Sequence, residues 1–319
     1  MWKTILRRVL MMIPQLFILS VLIFMLGQAV PGDAFTGMID PGLTAEALEA
    51  MREAAGLNDP WPEQYMRWLQ NLFQGDLGRS LTFRLPVAQV IGQRIGNSVL
   101  LSFFTVILVY LIAVPMGMSA GRHQNSAFDK FVGVYSYVTL ALPMFIFALL
   151  TLFVFGFRLG WFPTSGSVAI GTAPGLPTFL SRLNHVILPA ITQALLTTTG
   201  IVQMLRNQVI DAQRMDFVRT ARSKGTPIGK VYTRHIFRNA SLPIASNIGF
   251  VITGLIGGSV IIETVFSFPG MGQLLVSSVL NRDFAVVTSL TLLLGTASLF
   301  GMLISDIIMS VVDPRIRIQ

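Results

Sequence analysis

The sequence predicts an all-α polytopic membrane protein, and its composition is the first reason. Of its 319 residues, 53% are hydrophobic and only 12% are charged, and the mean hydropathy is +0.67. A soluble domain carries about a quarter charged residues, so this chain has too little charge to cover a surface that faces water. We therefore expect hydrocarbon to surround most of the molecule.

The second reason is a set of six apolar stretches, each long enough to cross a bilayer, which takes about 20 residues in a helix. They cover residues 9–30, 97–120, 131–157, 184–205, 243–265 and 285–311. The first follows Lys3, Arg7 and Arg8 like a signal peptide, but its apolar run is longer than the roughly 7–15 residues of a signal peptide. We interpret it as a first transmembrane helix. Four prolines fall within the stretches, which spanning helices tolerate where neighbours satisfy the freed backbone groups: Pro14, Pro115, Pro143 and Pro189.

The basic residues predict the orientation. If both termini are cytoplasmic, the cytoplasmic segments hold fifteen of the 23 Lys and Arg residues, and these segments are 1–8, 121–130, 206–242 and 312–319. An excess of basic residues in cytoplasmic loops is typical of membrane proteins. The net charge of +8 is therefore mostly a topology signal, and it does not require a nucleic-acid partner.

The long segment 31–96, predicted to be extracytoplasmic, carries helical signals. Thr44 is expected to cap a helix over about 45–55 that stops at Gly56. A second helix is expected over 59–75, with Asp59 as cap and Pro60 at its start. One face of it carries aromatic and leucine residues at helical spacing: Trp61, Tyr65, Trp68, Leu69, Leu72 and Phe73. This face is expected to lie on the membrane or on a partner; an outer hairpin packed on itself is an equal alternative.

No catalytic constellation is present in the sequence. The chain has no cysteine, which excludes disulfides and thiol chemistry. The stretch Gly225–Val231 is one residue short of a phosphate-binding loop and ends in Val where the hydroxyl should be. The three histidines, His123, His185 and His235, have no metal-ligand spacing. We predict no catalytic, cofactor-binding or metal-ligating residue, and expect His185 to be a hydrogen-bonded residue near Ser181.

Two carboxylates, Glu263 and Asp306, lie near the ends of predicted spans. Ion-coupled carriers usually place several ionisable groups deep in the bundle, so these two argue only weakly for a charge relay. The favoured interpretation is a hydrogen-bonded structural carboxylate at each position. Gly117/Gly121 and Gly254/Gly258 have the spacing that lets helices approach closely.

The loop from Asp216 to Pro243 is strongly basic and contains residues that are typical of helix starts and ends. Asp216 is expected to cap a helix that Gly225 stops, and Thr226 to cap a second helix running from Pro227 to about Asn239. The second helix has an apolar face and a basic face: Ile228, Val231, Tyr232 and Ile236 on one, Lys230, Arg234 and Arg238 on the other. Two turns are too short to be stable alone, so the first helix is expected to rest on a partner or on the second helix. From composition alone, a basic loop beside anionic lipid is the favoured interpretation of this segment.

The order of residues in this loop resembles the coupling loop of ABC importer permeases of the oligopeptide/dipeptide/nickel family. The matching runs are Thr220-Ala221-Arg222-Ser223-Lys224-Gly225, Arg234-His235-Ile236-Phe237-Arg238-Asn239-Ala240 and Leu242-Pro243. Further runs resemble the B-type permease of a peptide importer: Gln28-Ala29-Val30-Pro31-Gly32-Asp33, Gly75-Asp76-Leu77-Gly78-Arg79-Ser80, Asn97-Ser98 and Phe266-Ser267-Phe268-Pro269-Gly270-Met271-Gly272.

The resemblance implies a type I ABC importer permease fold in a bacterial cell membrane. It divides the chain into an N-terminal segment with the first span (1–30), a helical extracytoplasmic insertion (31–96) and a permease core (97–319) that contains the coupling loop 206–242. It implies that cytosolic ATPase subunits seat on Arg219, Thr220, Ala221, Arg222, Ser223, Lys224 and Gly225. His235, Arg238 and Asn239 would support this loop, and no substrate-path residue is assigned.

The implied partners are a second, homologous permease in a heterodimer, two ATPases that bind ATP and Mg²⁺, and an extracytoplasmic binding protein that delivers oligopeptides. The chain itself is expected to hold no cofactor and to catalyse nothing alone. Importers of dipeptides, nickel chelates or glutathione are the alternatives within the family. An ion-coupled secondary transporter and a non-transporting membrane scaffold or receptor are the alternatives outside it.

Overall fold

The computed structural model describes residues 2–29, 44–54, 56, 58–246 and 248–312. Within these ranges the chain is helical and without a β-strand, apart from one isolated bridge between Arg79 and Pro86. The Val30-Pro31-Gly32-Asp33 run and residues 313–319 of the predicted cytoplasmic tail 312–319 lie outside the described residues. The all-α prediction is therefore confirmed for the described part of the chain.

Fifteen helices are described, two of them continued by π-helical segments at Leu152–Arg158 and Val231–Ile236. They are α1 (Trp2–Ala29), α2 (Ala45–Ala54), α3 (Trp61–Phe73), α4 (Val87–Arg122), α5 (Ala127–Ala141), α6 (Met144–Thr151), α7 (Leu176–Gln213), α8 (Asp216–Ser223), α9 (Ile228–Lys230), α10 (Phe237–Ala240), α11 (Leu242–Ser246), α12 (Ile248–Gly257), α13 (Val260–Val265), α14 (Met271–Leu280) and α15 (Phe284–Val312).

Four of these helices, α1, α4, α7 and α15, are long and apolar enough to cross a membrane. The predicted third span, 131–157, is not one straight helix: α5 and the segment Met144–Arg158 are bent by 101° and together give up to a fifth span. The bend lies at Leu142, which is extended at φ −84° and ψ 119° because the following Pro143 disfavours helical backbone before it. Pro143 therefore breaks the span that was expected to contain it.

The predicted fifth span, 243–265, is likewise not a single helix. It is divided among α11, α12 and α13, and the break between the last two contains Gly258 with φ +66° and Ser259 with extended backbone. The carbonyl of Gly254, in the last turns before this break, accepts a hydrogen bond from Ser102 Oγ of α4 at 3.1 Å. The same carbonyl also accepts from Gly258 N–H at 3.2 Å, so the Ser102 hydroxyl ties α4 to the last turn before the break.

The centre of the fold is the pair α4 and α7, which run parallel along most of their length. Gly121 lies so close to α7 that an added Cβ would be 2.7 Å from Val209 Cβ, and at Gly117 it would be 3.0 Å from Leu205 Cβ. The close approach predicted for Gly117/Gly121 is confirmed. The Gly254/Gly258 prediction holds only at Gly258, where an added Cβ would lie 2.9 Å from Ser98 Oγ of α4; nothing lies within 4 Å of a Cβ added at Gly254.

Helix α3 packs on the chain's own first helix. Tyr65 Oη is 2.8 Å from Ser20 Oγ, and the Phe24 ring lies 5.4 Å from that of Tyr65 and 5.9 Å from that of Trp68. Part of the predicted aromatic face is thus buried within the chain, while Trp61 and Phe73 remain exposed. We call this side of the molecule the α3 end, and the opposite side, where α8 lies, the α8 end.

One of the two capping predictions near α3 is wrong. Thr44 does cap α2, because its Oγ1 accepts a hydrogen bond from Ala47 N at 3.2 Å. Asp59 does not cap α3: the N-cap position is Pro60, and the Asp59 carboxylate pairs with Arg67 Nη2 at 2.5 Å. An ion pair with a guanidinium has thus replaced the expected bond to the backbone.

Candidate functional site

Helix α8 rests on a small apolar cluster at the α8 end. Val218 and Ala221 are buried against Leu205 and Val209 of α7 and against the second loop helix. The opposite face is polar and exposed, and it carries Arg219, Thr220, Arg222, Ser223 and Lys224. Six of the seven predicted ATPase-contact residues, these five and Gly225, are therefore accessible, whereas Ala221 lies beneath them as part of the support.

The end of α8 is fixed by Gly225, as the sequence predicts. Gly225 has φ +73°, its N–H donates to Arg222 O at 2.9 Å, and Thr226 N–H donates to Ala221 O at 3.1 Å. This pair of bonds is the Schellman arrangement, which favours glycine because the left-handed conformation strains any residue with a Cβ. The chain therefore turns sharply after two turns and leaves α8 protruding.

The two predicted caps in this loop are wrong. Asp216 is the first residue of α8 rather than its cap; Met215 holds the cap position and makes no side-chain bond. Asp216 instead lies 3.9 Å from Arg219 as an exposed i,i+3 pair and is near the positive end of the helix dipole. Thr226 likewise does not cap the second helix, because extended Pro227 occupies the cap position.

The second loop helix runs from Ile228 to Ala240 through the π-helical segment Val231–Ile236. Val231, Tyr232 and Ile236 are buried on α7 and α8, as their spacing predicts, so the first helix does rest on the second. The predicted burial of Ile228 is wrong, because 54% of its surface is exposed. The basic face is as expected, with Lys230, Arg234 and Arg238 all exposed.

The three residues predicted to support the loop, His235, Arg238 and Asn239, differ in burial and in their contacts. Asn239 Nδ2 lies 4.0 Å from Met215 Sδ, at the start of α8, so it joins the two helices of the loop. His235 is half-buried, and Arg238 points to the exposed side. Asn239 alone of the three makes a described side-chain contact to α8.

A cation–π contact that sequence reasoning missed ties this loop to α4. The guanidinium of Arg122, at the last residue of α4, lies 4.7 Å from the centre of the buried Tyr232 ring. Next to it, Gln213 Nε2 donates to the carbonyl of Gly121 at 2.7 Å. The ends of α4 and α7 are thereby joined directly to the support of α8.

A second missed contact joins α5 to α7. Arg206 donates through Nε to Asp129 Oδ1 at 2.5 Å and through Nη2 to Oδ2 at 2.8 Å, and Asn125 N–H also donates to Oδ2 at 2.9 Å. Asp129 is buried. Two parallel bonds between a guanidinium and a carboxylate fix both the distance and the orientation of the two helices.

At the α3 end, Glu263 is fully buried at the centre of a hydrogen-bond network. Its Oε1 accepts from Ser98 Oγ at 2.7 Å, and its Oε2 accepts from the N–H groups of Gly272 at 2.7 Å and Gln273 at 3.0 Å. Ser98 Oγ in turn accepts from Met271 N–H at 2.7 Å. The carboxylate therefore joins α13, α4 and the start of α14, which confirms the structural interpretation of Glu263.

Glycines make room for this carboxylate. A Cβ added at Gly270 would lie 2.3 Å from the Glu263 carboxyl carbon, and one added at Gly258 would lie 2.2 Å from Oε1. The Phe266–Gly272 run that carries part of the resemblance is thus a tight loop wrapped around one acid. The adjoining Gly75–Ser80 run is held similarly, because Ser80 Oγ and Thr82 N–H both donate to Oδ2 of the buried Asp283.

The remaining polar residues singled out from the sequence are paired. His185 is buried with Nδ1 2.7 Å from Ser181 O, as predicted. Asp306 Oδ2 lies 3.0 Å from Arg8 Nε, which joins α15 to α1. In the described part of the chain, neither residue belongs to a group of three or more His, Asp or Glu side chains that could hold a metal ion.

Comparison with known proteins decides the family. The family described as "Binding-protein-dependent transport system inner membrane component" matches residues 113–318, and the N-terminal region described for the same kind of membrane component matches residues 1–83. The chain belongs to this family of inner membrane transport components. It is accordingly a multi-pass cell-membrane protein and a non-catalytic component of an ABC importer, as the resemblance implied.

Individual members of this transport family match over the full length. The oligopeptide transport system permease protein AppB of Bacillus subtilis (strain 168) is 38% identical over 98% of each chain. A putative peptide transport system permease protein of Brucella abortus (strain 2308) is 36% identical over 99% of each chain. The oligopeptide transport system permease protein OppB of Haemophilus influenzae is 33% identical, covering 99% of this chain and all of the relative.

Proposed function

We propose that this chain is the B-type permease subunit of an ATP-driven importer that moves oligopeptides across a bacterial cell membrane. The observation that carries the proposal is the full-length likeness to permeases named for oligopeptide transport, at 38% and 33% identity. The chain contributes the path and the moving parts, and partner subunits contribute ATP hydrolysis. Importers of dipeptides, nickel chelates or glutathione are the alternatives, since family membership alone does not fix the cargo.

Helix α8 is the proposed contact with the ATPase. Its exposed polar face offers donors and positive charge, while its buried face couples it to α7 through Val218 and Ala221. A force applied to the exposed face would therefore reach α7 without a flexible joint. ATP and Mg²⁺ would be bound by two cytosolic ATPase subunits, one seated on this chain and one on a homologous partner permease.

The proposed topology has six spans with both termini in the cytoplasm. The bent pair of α5 and Met144–Arg158 would form the third span, and α11 to α13 would form the interrupted fifth. With this topology the α8 end would lie at the cytoplasm and the α3 end outside, where a binding protein would deliver substrate. The divisions 1–30, 31–96 and 97–319 follow from the same topology, with 31–96 as the extracytoplasmic insertion.

Reconstitution tests the proposal. The chain, its partner permease and the two ATPases are placed in proteoliposomes, and uptake of a labelled peptide is measured with loaded binding protein outside. Uptake is expected to require ATP inside and to survive ionophores that abolish ion gradients. Uptake that fails with the gradient and persists without ATP would instead support an ion-coupled carrier.

The cargo needs a separate measurement. Mass spectrometry of ligands that co-purify with the cognate binding protein is expected to detect peptides of several residues. Recovery of dipeptides, a nickel chelate or glutathione alone would assign the corresponding alternative. Absence of any flux in an assembled, ATP-hydrolysing complex would favour a scaffold or receptor.

A further inference from the structure

A cavity of about 550 Å³ opens between α4 and the first turns of α7, at the α3 end. Its polar groups are the guanidinium of Arg182 and the amides of Gln93 and Asn97, and its apolar wall includes Phe179. Gly92 and Gly96 border it on α4, and a Cβ added at either would meet nothing within 4 Å. The cavity is thus roomy, lined by polar and apolar groups in similar measure, and supplied with a few convergent donors, which suits the polar end of a small ligand.

The charge of the cavity is positive. Among the described residues no carboxylate lies within ion-pairing distance of Arg182, which is exposed to the cavity. The nearby acid Glu263 is fully buried and already accepts three hydrogen bonds, so it does not neutralise the site. A guanidinium with free donors and no anion beside it favours a ligand that carries a carboxylate.

We propose that this cavity binds the C-terminal carboxylate of the transported peptide, an inference that rests on the proposed function. Arg182 would hold the two carboxylate oxygens, and Gln93 and Asn97 would donate to them or to the last peptide carbonyl. The Phe179 wall would accept the last side chain without selecting its shape, because an apolar wall discriminates weakly between apolar groups. The backbone of the peptide would pass along the glycine-lined face of α4.

The cavity is also connected to the network around Glu263. Asn97 Nδ2 donates to Pro269 O at 2.9 Å, and the next residue, Ser98, holds the Glu263 carboxylate. A ligand that competes for the Asn97 amide therefore acts on the Phe266–Gly272 loop directly. Binding of the carboxylate and movement of this loop would be coupled through a single side chain.

The test compares a peptide with a free C-terminus and the same peptide as its C-terminal amide. Binding protein is loaded with each before mixing, and equal loaded concentrations are used, so that its own selectivity does not enter the result. The wild-type complex is expected to take up the acid about tenfold faster than the amide, the effect of one charge-assisted contact. R182Q is expected to abolish this ratio, R182K to retain part of it, and the matched control R158Q, another exposed arginine outside the cavity, to leave it unchanged.

An unchanged acid-to-amide ratio in R182Q overturns the inference. Should R182Q take up neither peptide, a second measurement decides. The variant Q93C introduces a cysteine into a chain that has none. The rate at which this cysteine is alkylated is measured in the assembled complex without peptide, with the acid and with the amide. Protection by the acid and not by the amide supports the inference, and equal rates overturn it. Protection that follows the phosphatidylglycerol content of the vesicles assigns the site to an anionic lipid headgroup and also overturns it.

The same experiments separate this inference from the proposed function. Wild-type complex that imports no peptide in the presence of ATP refutes the proposed function, whatever the Q93C reactivity. Import of both peptides with equal efficiency leaves the function standing and refutes the role of the cavity.

Discussion

Arg206 of α7 and Asp129 at the start of α5 are joined by two hydrogen bonds, of 2.5 and 2.8 Å, although 77 residues separate them in sequence. The pair lies beside the close contact of Gly121 with Val209, at the α8 end. It therefore fixes α5 to the helix that also supports α8.

Removal of Arg206 is expected to destabilise the protein because it leaves the buried Asp129 carboxylate with one backbone donor. R206A should lower the free energy of unfolding by about 2 kcal/mol, the range for hydrogen bonds to charged groups. Thermal unfolding of the detergent-solubilised chain measures this. In the double variant D129N/R206A the free energy of unfolding should fall by less than the sum of the decreases in D129N and R206A. A decrease equal to that sum would show that the two side chains do not stabilise the protein through their mutual contact.

Gly225 is expected to be required for its backbone conformation alone. With φ +73° and nothing within 4 Å of an added Cβ, G225A is strained by about 1 kcal/mol without any steric clash. The end of α8 should loosen, and co-purification with the ATPase and ATP hydrolysis stimulated by loaded binding protein should both fall. G229A is the matched control, because a Cβ there also meets nothing within 4 Å and the residue is helical. Wild-type assembly and stimulation in G225A would contradict the coupling role of α8.

Glu263 is expected to tolerate neither loss nor neutralisation. In E263Q one terminal group is an NH₂ donor, which must face either Ser98 Oγ or the two N–H groups of Gly272 and Gln273. If the NH₂ group faces the two N–H groups, donors meet donors; if it faces Ser98 Oγ, the Ser98 hydroxyl hydrogen must turn away from the oxygen that now accepts it. Either orientation leaves a buried donor without its present acceptor, which costs about 2 kcal/mol and should appear as a lower unfolding temperature. S98A removes one partner only and should cost less. Equal stability of E263Q and wild type would show that the network does not hold the loop.

The contact of Arg122 with Tyr232 predicts that substitutions of Tyr232 destabilise the protein to different degrees. Y232F keeps the ring and should behave as wild type, whereas Y232L removes the contact with the cation and should cost about 1 kcal/mol, plus the effect of the altered packing. R122A in the Y232L background should then add little. The measurement is again stimulated ATP hydrolysis together with thermal unfolding. If R122A lowers the stability of Y232L as much as it lowers that of the wild type, the cation–π contact is not the cause of the Y232L effect.

The sequence predicts those features that depend on neighbours in the chain. Gly225 is an example, because the demand for a positive φ is local, and so is the burial of Val231, Tyr232 and Ile236 at helical spacing. The caps were less predictable: Asp59 and Asp216 both have the right residue type one position too early or too late, and an arginine nearby competes for each carboxylate.

Features that depend on distant residues were not predictable from one sequence. Nothing in the local pattern connects Asp129 with Arg206, or Arg122 with Tyr232, since each pair forms only once the helices have packed. The bend at Leu142 had a local signal in Pro143, but hydropathy alone merges the two halves into one apolar stretch. The break at Gly258 is tied to the burial of Glu263, which becomes evident only in three dimensions.

Helix α7 spans 38 residues without interruption, a length of about 57 Å at 1.5 Å per residue. Arg182 lies near one end of it, and the residues that support α8 lie near the other. Moved as a rigid rod, the helix would shift one end by about 5 Å for a tilt of about 5° pivoted at the other, a little less than the pitch of one helical turn. A small rotation imposed at α8 is thus enough to change the shape of a cavity on the far side of the molecule.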